Sequence, residues 1–89
     1  MKAVITVTGK DSVGIVARVS SICAEHNANI VDITQSVLSE YFAMIVLAEI
    51  DQLSIPFSAF ADALANMGRE IGLDIRAMHE DIFNTMHHV

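Results

Sequence analysis

A single cysteine, Cys23, leaves this chain unable to close a disulfide within itself or to offer a zinc ion a second thiolate. The fold must therefore hold together by packing, and a reducing compartment is expected. Basic residues are also scarce. Five lysines and arginines against 11 acids give a net charge of −6, and the five are scattered instead of forming a stripe. Such a surface repels phosphate backbones, which argues against nucleic acid as a direct partner. Although 53% of the residues are hydrophobic, charges interrupt them every few positions, and no run approaches the roughly 20 residues that span a bilayer. No membrane partner is expected. Met1 to Val7 alternate like a strand and lack the basic region and continuous apolar run of an export signal, so the expected location is cytoplasmic.

Catalytic patterns are missing too. His26, His79, His87 and His88 show no metal-ligand spacing and read as solvated or helix-end histidines. Gly9-Lys10-Asp11-Ser12 looks like part of a phosphate loop, but Val4 stands where that loop needs a glycine and Asp11 where it needs a hydroxyl. Gly9 and Gly14 do not make a GxGxxG turn either. No serine sits in a strand-turn-helix elbow, and Cys23 falls on the apolar stripe of a predicted helix, where it reads as a small core residue. No catalytic residue, metal ligand or cofactor is predicted, and the chain does not read as an enzyme.

What is present is a clean alternation of period. At 89 residues the chain is expected to form one domain, residues 1–89, around one core. Lys2 to Thr8 alternates as a strand, with Ala3, Ile5 and Val7 on one face and Val4, Thr6 and Thr8 on the other. From Val13 to about His26 the apolar residues Ile15, Val16, Val19, Ile22 and Cys23 follow helical spacing, and Asn27-Ala28-Asn29 ends that helix. Ile30 to Leu38 and Tyr41 to Ile50 are strands of a hairpin turning at Ser39-Glu40. Pro56 opens a second helix with Phe57, Phe60, Ala61, Leu64, Met67 and Ile71 on its buried side, ending near Gly72. Leu73 to His79 is a fourth strand, and Glu80 to His88 a short final helix.

Two βαβ units joined by a hairpin predict an α+β fold, the ferredoxin-like βαββαβ sandwich: a four-stranded antiparallel sheet with two helices on one face, plus the short C-terminal helix. Strand three is apolar on both sides, with Phe42, Met44, Val46 and Ile50 on one and Tyr41, Ala43, Ile45 and Leu47 on the other. The helices can cover only one side. The final helix and a second copy of the chain, paired at the sheet edge or packed on the face, are expected to cover more, so a homodimer is predicted.

The turn at residues 9–14 is the one candidate for binding. Asp11 and Ser12 read as N-cap residues before a helix that begins Val13-Gly14-Ile15. A helix start presents unpaired N–H groups and the positive end of the dipole, a setting for a carboxylate. Gly14 either leaves room for a ligand at the backbone or lets the helix pack closely on a strand, and the turn alone leaves both readings open.

The βαββαβ order, the turn Gly9-Lys10-Asp11-Ser12-Val13-Gly14-Ile15, the segment Asn29-Ile30-Val31-Asp32-Ile33-Thr34-Gln35 and the ending Asp81-Ile82-Phe83-Asn84-Thr85-Met86-His87 together resemble an ACT domain. More narrowly, the chain resembles small stand-alone ACT-domain proteins of bacteria and archaea. It is also similar to the ACT modules of glycine-cleavage repressor-like proteins and formyltetrahydrofolate deformylases. The resemblance implies a regulatory module that binds an amino acid or related metabolite at a homodimer interface and signals to a regulated enzyme or regulator protein. Its implied ligand-binding residues are Asp11, Ser12, Val13, Gly14 and Ile15 of the turn, with Asn29 and Ile30 from the adjoining subunit. Where the best-known amino-acid-binding members carry a neutral amide and a proline, this chain has Asp11 and Val13, so Lys10 or the ligand's ammonium must offset the Asp11 carboxylate. The alternative is a ligand-free dimerisation or protein-interaction module.

Overall fold

In the computed structural model, which describes residues 1–86, the elements are β1 (Lys2–Lys10), α1 (Ile15–Glu25), β2 (Asn29–Leu38), β3 (Tyr41–Glu49), α2 (Phe57–Glu70), β4 (Leu73–His79) and α3 (Glu80–Met86). The strands form one antiparallel sheet in the order β2-β3-β1-β4. This is the expected ferredoxin-like topology, with the two βαβ crossovers placing β1 and β3 at the centre. Expected positions 87 and 88 of the last helix, with His87 and His88, lie outside the described residues.

Alternation along the central strands decides what is buried. Ala3, Ile5 and Val7 of β1 and Val46 and Ala48 of β3 are 0% exposed and share a core with Val19 and Cys23 of α1 and Phe60 and Leu64 of α2. Paired residues of antiparallel strands point to the same face, so Tyr41, Ala43 and Ile45 of β3 share the opposite face with Lys10, Thr8 and Thr6 of β1. As expected, the final helix covers part of that face. Phe83 of α3 lies beside Ile45 and Leu47, and Val4 is only 3% exposed.

Around the first turn, local details differ from the sequence reading. β1 continues through Gly9 to Lys10, two residues beyond Thr8, because β3 pairs it that far: Gly9 lies opposite Phe42 and Lys10 opposite Tyr41. α1 begins at Ile15 and not at Val13. Finally, neither Asp11 nor Ser12 caps it. The N-cap is Gly14, in the left-handed conformation at φ 86°, and no side chain bonds the free N–H groups. The chain enters the helix through a backbone reversal that glycine adopts without steric cost.

Close packing between α2 and β4 rests on Gly68. A β-carbon there would stand 2.8 Å from both Ile75 Cγ1 and the Leu73 carbonyl oxygen, and the latter is backbone that cannot move aside cheaply. Helix propensity alone favours alanine by about 1 kcal/mol, whereas overpacking costs about 1–3 kcal/mol. Gly68→Ala is therefore expected to lower the urea-unfolding free energy; an unchanged or higher value would show that the contact relaxes.

Candidate functional site

The turn after β1 is tied down at one point. The Asp11 N–H donates to the Glu40 carbonyl at 2.8 Å, joining the turn to the β2–β3 hairpin. Beyond it Ser12 is exposed and Val13 fully so at 103%, while Ile15 turns inward and is buried. The first helical bond runs from the Arg18 N–H to the Gly14 carbonyl at 3.0 Å. The preceding N–H groups of the first turn have no intrahelical acceptor. With no side-chain cap and no acid in the first turn, the positive end of α1 is unopposed.

Gly14 resolves one of the two readings left open. A β-carbon at this position would meet nothing within 4 Å, so close packing on a strand does not explain the glycine. Its left-handed φ does, and the same geometry leaves open space in front of the backbone.

Asn29 and Ile30 lie elsewhere. Asn29 opens β2 opposite Glu49, which in turn faces Lys2, whereas the turn adjoins the opposite end of the sheet, where Lys10, Tyr41 and Leu38 are aligned. Eight residues of strand separate the two ends, about 26 Å at ~3.3 Å per residue. One chain does not bring the seven predicted residues together. It does place Asn29 and Ile30 on an open depression of about 480 Å³ at the C-terminal end of α1, with Ser20, Ala24, Asn27 and Gln52 on its walls. Sequence reasoning missed these four. Ser20, Ala24 and Asn27 are spaced along one side of α1 and its exit, a signal that could have been read. Gln52 enters only through the β3–α2 connection, which has no periodicity to follow.

The histidines refine another expectation. His26 presents its ring edge-on to Phe60, with centroids 6.3 Å apart, and His79 stacks on Phe57 at 4.3 Å and 26°. His79 Nδ1 is buried without a hydrogen-bond partner among the described residues. His26 is the C-cap of α1, as a helix-end histidine should be, and both half-buried rings also pack on aromatic side chains that α2 supplies. Among the described residues no group of three or more His, Cys, Asp or Glu could hold a metal, and no helix is long and apolar enough to cross a membrane.

A family profile for the ACT domain matches residues 2–78. The chain belongs to the ACT domain family. It is 44% identical over 88 residues to a UPF0237 protein of Methanopyrus kandleri, covering 99% of this chain and 98% of that one. An ACT domain protein from Streptococcus pneumoniae superposes with a TM-score of 0.80 at 41% identity, over 93% of both chains. A formyltetrahydrofolate deformylase from Pseudomonas syringae pv. tomato matches with a TM-score of 0.78 at 28% identity, over 88% of this chain and 27% of that one. ACT domains are generally regulatory ligand-binding modules and are not known as catalysts.

Cys23, 1% exposed, illustrates how little nucleophilic chemistry the interior offers: burial pushes its thiol up from 9.0 to about 11. The native state thus holds the proton more tightly than the unfolded chain. Stability should fall as pH rises from about 9 towards 11, with a slope of at most about 1.4 kcal/mol per pH unit. Urea unfolding across that range is expected to show a component of the slope that Cys23→Ala removes; parallel profiles for the two proteins would refute it.

Proposed function

We propose that residues 1–89 act in the cytoplasm as one ACT domain, a homodimeric sensor that binds an amino acid or related metabolite at its subunit interface and passes the binding energy to a partner protein. The observation that carries this reading is the uncapped start of α1 at Gly14, with free N–H groups, no acidic first turn and open space before the backbone. A ligand carboxylate fits those donors. Its ammonium would take the Asp11 carboxylate or the Asn29 side-chain carbonyl.

The sheet supplies a reason for the dimer. β2 is an edge strand, and Val31 at its bulge is 43% exposed, Val37 56% and Leu38 78%. A long edge strand with exposed apolar residues invites pairing with another strand. Two copies of β2 paired antiparallel about a two-fold axis would carry Asn29 of one subunit to the Leu38 end of the other. That is the end where the Asp11–Glu40 bond holds the turn. The same pairing would close the depression beside Asn29 with the neighbouring hairpin.

Two measurements test the reading. In a thermal-shift panel of the proteinogenic amino acids at millimolar concentration, at least one is expected to stabilise the protein, by about 2.7 kcal/mol when present at about 100 times its Kd. The exposed substitution Asn29→Ala should abolish that shift without changing the ligand-free melting temperature, and a panel with no shift at all would sink the sensor reading. In sedimentation at micromolar concentration the protein is expected to be a dimer that Val31→Lys with Val37→Lys converts to monomer. A monomeric wild type, or a dimer indifferent to these lysines, would remove the edge-paired interface.

A further inference from the structure

The sheet face opposite α1 and α2 is only half covered. On the α3 side a pocket of about 200 Å³ lies among Val4, Leu47 and Phe83, and beyond α3 an open groove of about 420 Å³ runs over Thr6, Thr8, Ala43 and Met78. Ile45 and Phe83 line both, so the cover ends at the row of paired residues Thr34, Ile45, Thr6 and Arg76. The covering helix is itself unfinished. Ile82 is 53% and Met86 66% exposed, and at about 100° per residue Met86 falls between Ile82 and Phe83 around α3. An apolar strip therefore climbs from the groove to the outer side of α3. One half of the face lacks a helix, and the helix on the other half lacks a neighbour. With seven residues α3 is about 10 Å long and about 10 Å across, whereas the groove is about 16 Å along the strands and about 19 Å across them. A second α3 fits.

Shape and charge agree on how a second copy would lie. At the α3 end of the face, Asp32, Glu49, Glu80 and Asp81 outnumber Lys2. At the hairpin end Lys10 offsets part of the charge of Asp11 and Glu40, and between the ends Arg76 holds Asp74, Nε to Oδ1 at 3.2 Å. A two-fold axis along the strands would set the acidic end on its own counterpart and α3 on α3, leaving both grooves open. An axis across the strands instead lays the acidic end on the end with the smaller surplus, and Arg76 near that axis carries its own counter-ion. Like charges are then opposed least.

We propose that this face takes a second copy of the chain about a two-fold axis across the strands at Ile45 and Thr6, each α3 filling the other's groove. Area then decides how many chains assemble. One open half-face measures about 300 Å², so two opposed bury about 600 Å², half of the roughly 1,200 Å² at which stable interfaces begin. A single pair is too small. An edge-paired dimer doubles the area, because its two-fold is perpendicular to the sheet and leaves both open faces on one side. Setting Asn29 opposite Leu38 centres that axis between Ile33 and Thr34, beside the row on which the face axis lies. The two axes cross near Thr34, and the assembly closes at four chains. This rests on the edge pairing of the sensor reading and extends it from two chains to four.

Analytical ultracentrifugation of the full chain from about 1 µM to about 1 mM tests this. A dimer at the low end is expected to become a tetramer at the high end. Ile45→Asp, which opposes carboxylates across the axis, and Met86→Asp, at an exposed position, should each hold the protein at a dimer throughout, with the far-UV circular dichroism spectrum unchanged. A wild type still dimeric at about 1 mM, or a tetramer indifferent to both substitutions, would overturn the face contact and leave the edge pairing standing. Val31→Lys with Val37→Lys is expected to give monomer at every concentration, since one face alone is too small. A monomer-to-dimer step in the wild type that Ile45→Asp removes would instead overturn the tetramer and the edge pairing together. The amino-acid panel reads ligand binding separately from all of these.

Discussion

The pairing of β1 on both its edges is the constraint on which the rest of the molecule depends. With β3 on one side and β4 on the other, β1 has its backbone groups satisfied in both directions. Its side chains alternate between a fully buried set, Ala3, Ile5 and Val7, and a set on the opposite face. The register with β3 also determines where the strand stops. Lys10 is the last pair, opposite Tyr41, so the turn that follows leaves the sheet beside the β2–β3 hairpin and is bonded to it at Glu40. The position of the turn follows from that ladder, and its distance from Asn29 from the same ladder together with the β2–β3 pairing.

Much of this was legible because period and burial agree. The fourth strand, Leu73–His79, was read to the residue, and the buried side of α2 was read from Phe60, Leu64 and Met67. The start of α1 was misread for a physical reason. Asp11 and Ser12 have the side chains that cap helices, and propensity gives them that role. The chain instead makes its reversal at Gly14 with backbone dihedrals alone. A left-handed residue leaves no mark in hydrophobic period, so only the glycine itself could have signalled it.

The candidate residues were legible as two separate sets, and the proposed assembly of the two was not. The turn followed from the strand-to-helix junction, whereas Asn29 and Ile30 were implied only by resemblance, since nothing in their spacing ties them to residues 11–15. The fold explains this. The two sets occupy opposite ends of one sheet, and no pattern local to a single chain would report the meeting between two copies that the proposed function requires. The half-covered face is the reverse case. Strand three announced it by being apolar on both sides, and Ile45 and Tyr41 remain exposed after α3 has taken its place.

These features lie close enough to be mechanically continuous. The turn that would receive a carboxylate is hydrogen-bonded through Asp11 to Glu40, and Glu40 sits between Leu38 and Tyr41, the residues at the hairpin end of the open face. Contact alone is not coupling, because a ligand shifts an equilibrium only by its differential affinity for two states. Under the proposed sensor function, the turn is where two states would differ. Gly14, being a glycine, tolerates a change of backbone dihedral, and the Asp11 N–H bonds the turn to the hairpin. A ligand that draws the turn towards the α1 N–H groups must therefore either stretch the Asp11–Glu40 bond or carry the hairpin with it. The second course moves β2, whose edge would form the dimer, and the rim of the groove together.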